Sequence, residues 1–238
     1  MDFYFSLVVI FLVSIFAGLL PLMYHKVHDF IPYFISFASG ILISAALFNL
    51  LPESIEIIGK LTGFPMLIGF IVFYFPQKYV VTDACDLDSA DLARLGIMAF
   101  LGIGFHSLTD GIGVGAAESG KILSHISFAV TAHKVPDALA LSMILISLGV
   151  KKTKIAIYLF IFALTTPAGA LLTHLLLTNN TMEWVGYATG FSAGNFLAIA
   201  FGDILKRIHE RTPSNKYIRA VLLIAGCLVS LMDLHNHV

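Results

Sequence analysis

Charge is what this chain has least of. Its 238 residues include 14 Lys and Arg against 15 Asp and Glu, 12% in all, for a formal net charge of −1. A chain so poor in charge has no basic surface for nucleic acid, and no nucleic-acid partner is expected. Cysteine is almost missing too. Cys85 lies in a polar stretch and Cys227 in a distant apolar one, so both read as unpaired thiols without redox work. There is also no positive n-region at the start. Asp2 precedes the run from Phe3 to Met23, which is too long and too apolar for a cleaved signal and reads as a first membrane span.

What fills the chain instead is hydrocarbon. Hydrophobic residues make up 58%, and the mean hydropathy of +0.90 lies beyond that of ordinary soluble domains. This composition predicts an all-α, multi-pass membrane protein whose main partner is the lipid bilayer. A span needs about 20 mostly apolar residues, and eight segments approach that length: 4–23, 30–51, 61–77, 95–117, 126–149, 155–178, 184–205 and 218–234. They leave so little outside that residues 1–238 read as one transmembrane domain. The longest polar loop is Thr82 to Asp91, with four aspartates, and reads as a water-exposed linker.

Basic residues orient the spans. Lys26, Lys78, Arg94, Lys151, Lys152, Lys154, Lys206, Arg207, Arg211, Lys216 and Arg219 fall in loops on one side, against Lys60 and Lys121 on the other. The positive-inside rule puts the larger set in the cytoplasm and both termini outside. Spans two and seven, which run in opposite directions, share Phe37-Ala-Ser-Gly40 and Phe191-Ser-Ala-Gly194. Weak similarity between opposed segments is the mark of inverted-repeat transporters.

Two stretches break the apolar pattern. His106-Ser-Leu-Thr-Asp110 in span four and His133-Lys-Val-Pro-Asp137 in span five both read His-x-x-x-Asp. At that spacing a helix sets His and Asp on one face. Two such helices side by side offer two imidazoles and two carboxylates to one point. Ionisable groups at membrane depth cost about 2.5–3.5 kcal/mol or more each and mark function by default. A divalent cation would neutralise the acids, and this donor set suits Zn2+, with Fe2+, Mn2+ or Cd2+ also accommodated. No organic cofactor is expected. Pro136 frees the carbonyl of Ala132 beside this point. A buried ion-pair cluster of Asp110, Lys134 and Asp137 is the purely structural alternative, but it leaves the repeated motif unexplained.

At these residues the sequence resembles the ZIP family of divalent-metal transporters, whose fourth and fifth helices carry paired His-x-x-x-acid motifs. Leu50-Leu-Pro-Glu53, Thr166-Pro-Ala-Gly169 and Gly190-Phe-Ser-Ala-Gly194 add to the likeness, which covers nearly the whole chain. It implies import of Zn2+ or a similar ion by alternating access around His106, Asp110, His133 and Asp137. Many members hold two metals there, through residues directly after the motif histidines. Here those positions are Ser107 and Lys134, and the Lys134 ammonium takes the electrostatic place of the second ion. Glu53, His174, Asp203, His235 and His237 stand near span ends as entrance or exit ligands. Small residues at Gly102, Gly104, Gly111, Gly113 and Gly115 suit close helix approach, within the chain or across a homodimer. The family suggests no enzyme. A membrane-embedded zinc-dependent hydrolase would need a further acid as general base, and a metal-binding receptor or sensor would bind without transport. Plasma membrane and organelle membrane both fit.

Overall fold

A computed structural model describes residues 2–23, 27–80, 89–116, 121–176, 181–202 and 215–234. Helix α1 spans Phe3–Met23. Helix α2, Val27–Ser44, passes through a π-helical turn at Ala45–Leu50 into α3, Leu51–Ile58. Gly59, with φ of 60°, ends α3 in a conformation that suits glycine, and a 3-10 turn leads into α4, Gly63–Val80. There follow α5 (Ser89–Ala116), α6 (Lys121–Ser147), α7 (Lys152–Leu176), α8 (Thr181–Phe201) and α9 (Lys216–Leu234). Gly149, at φ 71°, stops α6: the Val150 amide donates to the Leu145 carbonyl and the Gly149 amide to that of Ile146, both at 3.0 Å.

The all-α, multi-pass expectation holds. Five stretches among the described residues are long and apolar enough to cross a membrane: Phe3–Met23, Pro32–Pro76, Gly96–Ala116, Ile126–Ser147 and Lys152–Leu175. Their outward faces explain the composition. On α1 the exposed residues Val8, Leu12, Phe16 and Leu20 recur every fourth position, opposite the buried Leu7, Ile10, Ser14 and Ala17. Lipid accepts the first stripe and neighbouring helices the second. Span edges differ from expectation: helix α5 takes in Ser89, Ala90 and Asp91 from the predicted linker, whose residues 82–88 lie outside the described residues.

Helices meet closely at a set of glycines that remove a side chain from the contact. Gly111 and Gly115 of α5 face the carbonyls of Thr166 and Ala170 on α7, and Gly169 of α7 returns the contact on Leu108. The same reciprocity joins α2 to α9, with Gly40 on the Leu223 carbonyl and Gly226 on that of Phe37. It also joins α8 to α4, with Gly194 on the Met66 carbonyl and Gly69 on that of Phe191. Gly102 meets Asn195 of α8, so three of the five small residues of α5 are used within the chain. Gly111→Ala is expected to push α5 from α7 and cost about 1–3 kcal/mol, read as a lower unfolding temperature in detergent. Gly104→Ala, which meets nothing within 4 Å, serves as the control. A Gly111→Ala protein as heat-resistant as that control would contradict the packing argument.

Beneath the site, Ile35 and Leu42 of α2, Ile103 of α5, Leu141 and Leu145 of α6, Phe162 of α7 and Phe196 of α8 form one buried cluster. This apolar packing fixes the helices whose faces build the site.

Candidate metal centre

Helices α5 and α6 cross so that each histidine meets the acid of the other helix. His133 Nε2 lies 3.1 Å from Asp110 Oδ2, and His106 Nε2 lies 3.9 Å from Asp137 Oδ2. That pairing requires the two helices to run antiparallel; a parallel pair would set histidine against histidine and acid against acid. Within α5, His106 Nε2 is also 3.4 Å from Asp110 Oδ2, as the i,i+4 spacing demands. One donor atom from each of His106, Asp110, His133 and Asp137 lies within 4.8 Å of all the others.

Donors about 2.0–2.1 Å from a tetrahedral zinc stand about 3.4 Å apart, so the set closes on an ion with shifts on the order of an ångström. Burial leaves it little alternative. His106 is 3% exposed and Asp137 3%, and Asp137 Oδ2 and His106 Nδ1 are buried without a hydrogen-bond partner among the described residues. Such orphaned polar atoms are uncommon in folded proteins and call for an explanation. His133, with 27% of its side chain exposed, is the open side of the cluster.

Lys134 lies wholly inside, at 0% exposure. Its ammonium pairs with Asp110 Oδ2 and donates to Ser107 Oγ at 3.1 Å, with Asp137 Oδ2 at 3.9 Å. The sequence motif places Lys134 beside His133, yet its side chain turns to the acids of both helices. Asp110 Oδ2 is therefore a hub, approached by two imidazoles and one ammonium.

Residues from α7 and α8 complete the surroundings, and the sequence does not single them out as neighbours of the site. Phe162 sets its ring 5.6 Å below the Lys134 Nζ, a cation-π contact. Thr166 Oγ1 lies 2.8 Å from Ser107 Oγ and donates to the Ser107 carbonyl at 2.8 Å. Phe196 meets the His106 ring edge to face at 4.4 Å. The polar Thr166 inside an apolar span, next to Pro167, was the available signal; the two phenylalanines had none in a chain with 20 of them. Asn195 bonds another helix, donating to the Gly102 carbonyl at 2.7 Å.

The flanking candidates separate. Glu53 is exposed in the first turn of α3. His174 is exposed near the end of α7 and stacks on Phe3 at 4.6 Å. It stands about 12 Å along α7 from Thr166, at 1.5 Å per residue. Asp203, His235 and His237 lie outside the described residues. Pro136 turns to α2, where it lines an apolar groove with Phe34, Phe37, Ala38 and Ile41.

Comparison with known proteins identifies the family. A family model described as ZIP Zinc transporter matches residues 82–232, which include both motifs. Zinc transporter ZIP9 of Micropogonias undulatus is 29% identical over 193 residues, 71% of this chain and 62% of that protein. The ZIP9 of Xenopus tropicalis is 28% identical over 192 residues, 71% of this chain and 63% of its own. Zinc transporter ZIP1 of Danio rerio is 24% identical over 95% of this chain and 94% of its own length. Thus the matches span less than two thirds of the ZIP9 proteins. Since the family model covers well over half of the sequence and both His-x-x-x-Asp helices, the chain belongs to the ZIP zinc transporter family.

Proposed function

We propose that this chain carries divalent metal ions, Zn2+ foremost, into the cytoplasm by alternating access around a one-ion site of His106, Asp110, His133 and Asp137. The observation that carries the reading is the convergence of four donors from antiparallel helices within 4.8 Å, one of them a buried carboxylate oxygen with no partner among the described residues. The names of the similar proteins point to zinc, and Fe2+, Mn2+ and Cd2+ compete for the same donors. Lys134 holds the place of a second ion, as a fixed positive charge against Asp110.

The membrane frame has eight spans, α2, the π-helical turn and α3 forming one, with both termini extracytoplasmic in a plasma or organelle membrane. An inverted repeat underlies it. The support is the matched glycine contacts: Gly40 and Phe37 of α2 meet α9 just as Gly194 and Phe191 of α8 meet α4. These are the same two quartets whose sequences align. One repeat bundle rocks against α5 and α6, and Glu53 receives ions on the outer, His133 side. His174, His235 and His237 are further outer ligands, and Asp203 an inner one. Release follows protonation of the donors, since ligands bind metal deprotonated.

A radiometal uptake panel in proteoliposomes, with Zn2+, Fe2+, Mn2+ and Cd2+ in competition, tests the reading. His133→Ala is expected to lower uptake at least about tenfold, because loss of a metal ligand exceeds the cost of losing an outer-shell partner. Equal uptake by wild type and His133→Ala would sink the site. Metal binding with no uptake by either would favour a receptor or sensor, and turnover of a lipid substrate a hydrolase.

A further inference from the structure

The hydroxyl protons around Lys134 can be placed one by one. Thr166 has a single O–H, and it donates to the Ser107 carbonyl. The remaining contact, Ser107 Oγ to Thr166 Oγ1 at 2.8 Å, must then use the Ser107 proton. Both lone pairs of Ser107 Oγ are left to face inward, and one accepts from the Lys134 ammonium at 3.1 Å. Thr166 therefore decides which way Ser107 points. Phe162, one turn away on the same face of α7, closes the seat from below.

We propose that Thr166 is a positioning residue for metal binding: by orienting Ser107 it gives Lys134 a second acceptor, to which the ammonium moves when an ion takes Asp110. The inference rests on the one-ion reading above. Its physical core is competition for a single oxygen. Asp110 Oδ2 is at once the partner of Lys134 and the hub of the donor set, and Asp137 Oδ2, 3.9 Å from the ammonium, is itself claimed by the metal. An ion that occupies both acids leaves the buried ammonium with Ser107 Oγ as its hydrogen-bond acceptor, above the Phe162 ring. Without Thr166, the Ser107 hydroxyl turns to a backbone carbonyl of its own helix, as serines in helices do. The ammonium then stays on the acids and opposes the incoming ion.

The test is a double-mutant cycle read by Zn2+ titration of the purified full chain, with bound ions counted per chain. Thr166→Val is expected to weaken Zn2+ binding about three- to tenfold, the worth of one hydrogen bond, with the count unchanged at one. Thr166→Ser should restore wild-type binding. In the Lys134→Met background, Thr166→Val should have no effect, because there is no ammonium to place. Equal weakening in both backgrounds would mean that Thr166 acts only through helix packing, and no weakening in the wild-type background would overturn the proposal outright. Should Lys134→Met fail to fold, Ser107→Ala takes its place in the cycle: its effect and that of Thr166→Val must not add, and additive losses overturn the proposal. Two ions per wild-type chain would instead refute the one-ion reading, whatever Thr166→Val does.

Discussion

Asp110→Ala is expected to abolish metal uptake, by about 100-fold or more, and to destabilise the protein as well. Both effects trace to one atom. Asp110 Oδ2 faces His133 at 3.1 Å and His106 at 3.4 Å and pairs with Lys134, so its removal takes a ligand from the ion and the partner from a wholly buried ammonium. Breaking a buried pair by deleting one member costs about 3–5 kcal/mol, since the other charge remains desolvated. Asp137→Ala provides the contrast. Asp137 is also a proposed ligand, but its Oδ2 accepts no hydrogen bond among the described residues and stands 3.9 Å from Lys134. Uptake should fall as far while thermal stability falls much less. Uptake per folded molecule, with unfolding temperature measured alongside, separates the two. Uptake by Asp110→Ala within twofold of wild type would remove Asp110 from the site, and equal stability losses in the two variants would refute the hub.

Lys134→Asn carries the second large effect: the bound-metal count should rise from one to two per chain. In the wild type two carboxylates, one fixed ammonium and one divalent ion leave a single positive charge, and the ammonium repels any further cation. Removing the ammonium leaves both acids facing a space that already contains Ser107 Oγ and gains an amide oxygen. An oxygen-rich position from which the fixed positive charge has gone suits a second cation. Counting zinc per chain by elemental analysis after saturation and desalting reads the result. A count of one in Lys134→Asn, with binding otherwise intact, would show that Lys134 does not stand in for an ion.

Much of this site was legible because its candidate donors come in local pairs. Helical geometry alone puts His106 over Asp110 and His133 over Asp137, and the cost of charge in lipid singles these residues out. The fold class was legible for a similar reason: apolar runs of span length admit one structure in a bilayer, the helix. The quartets around Gly40 and Gly194 were visible as a loose alignment, but their meaning lay in which carbonyls they touch. For Thr166 the sequence offered only a polar residue beside Pro167, and for Phe162 and Phe196 nothing. They are distant in sequence from the motifs, and a threonine or phenylalanine in an apolar span looks the same whether it faces lipid, core or site.

By itself, then, the sequence determined the solvent of this protein, its helical build and the four donors, since each follows from hydropathy or from the 3.6-residue repeat of one helix. Only the tertiary structure decided how the two helices cross, which oxygen becomes the hub and where the ammonium of Lys134 turns. Those outcomes depend on helix crossing and on glycine contacts between segments far apart in the chain, and no local periodicity encodes them.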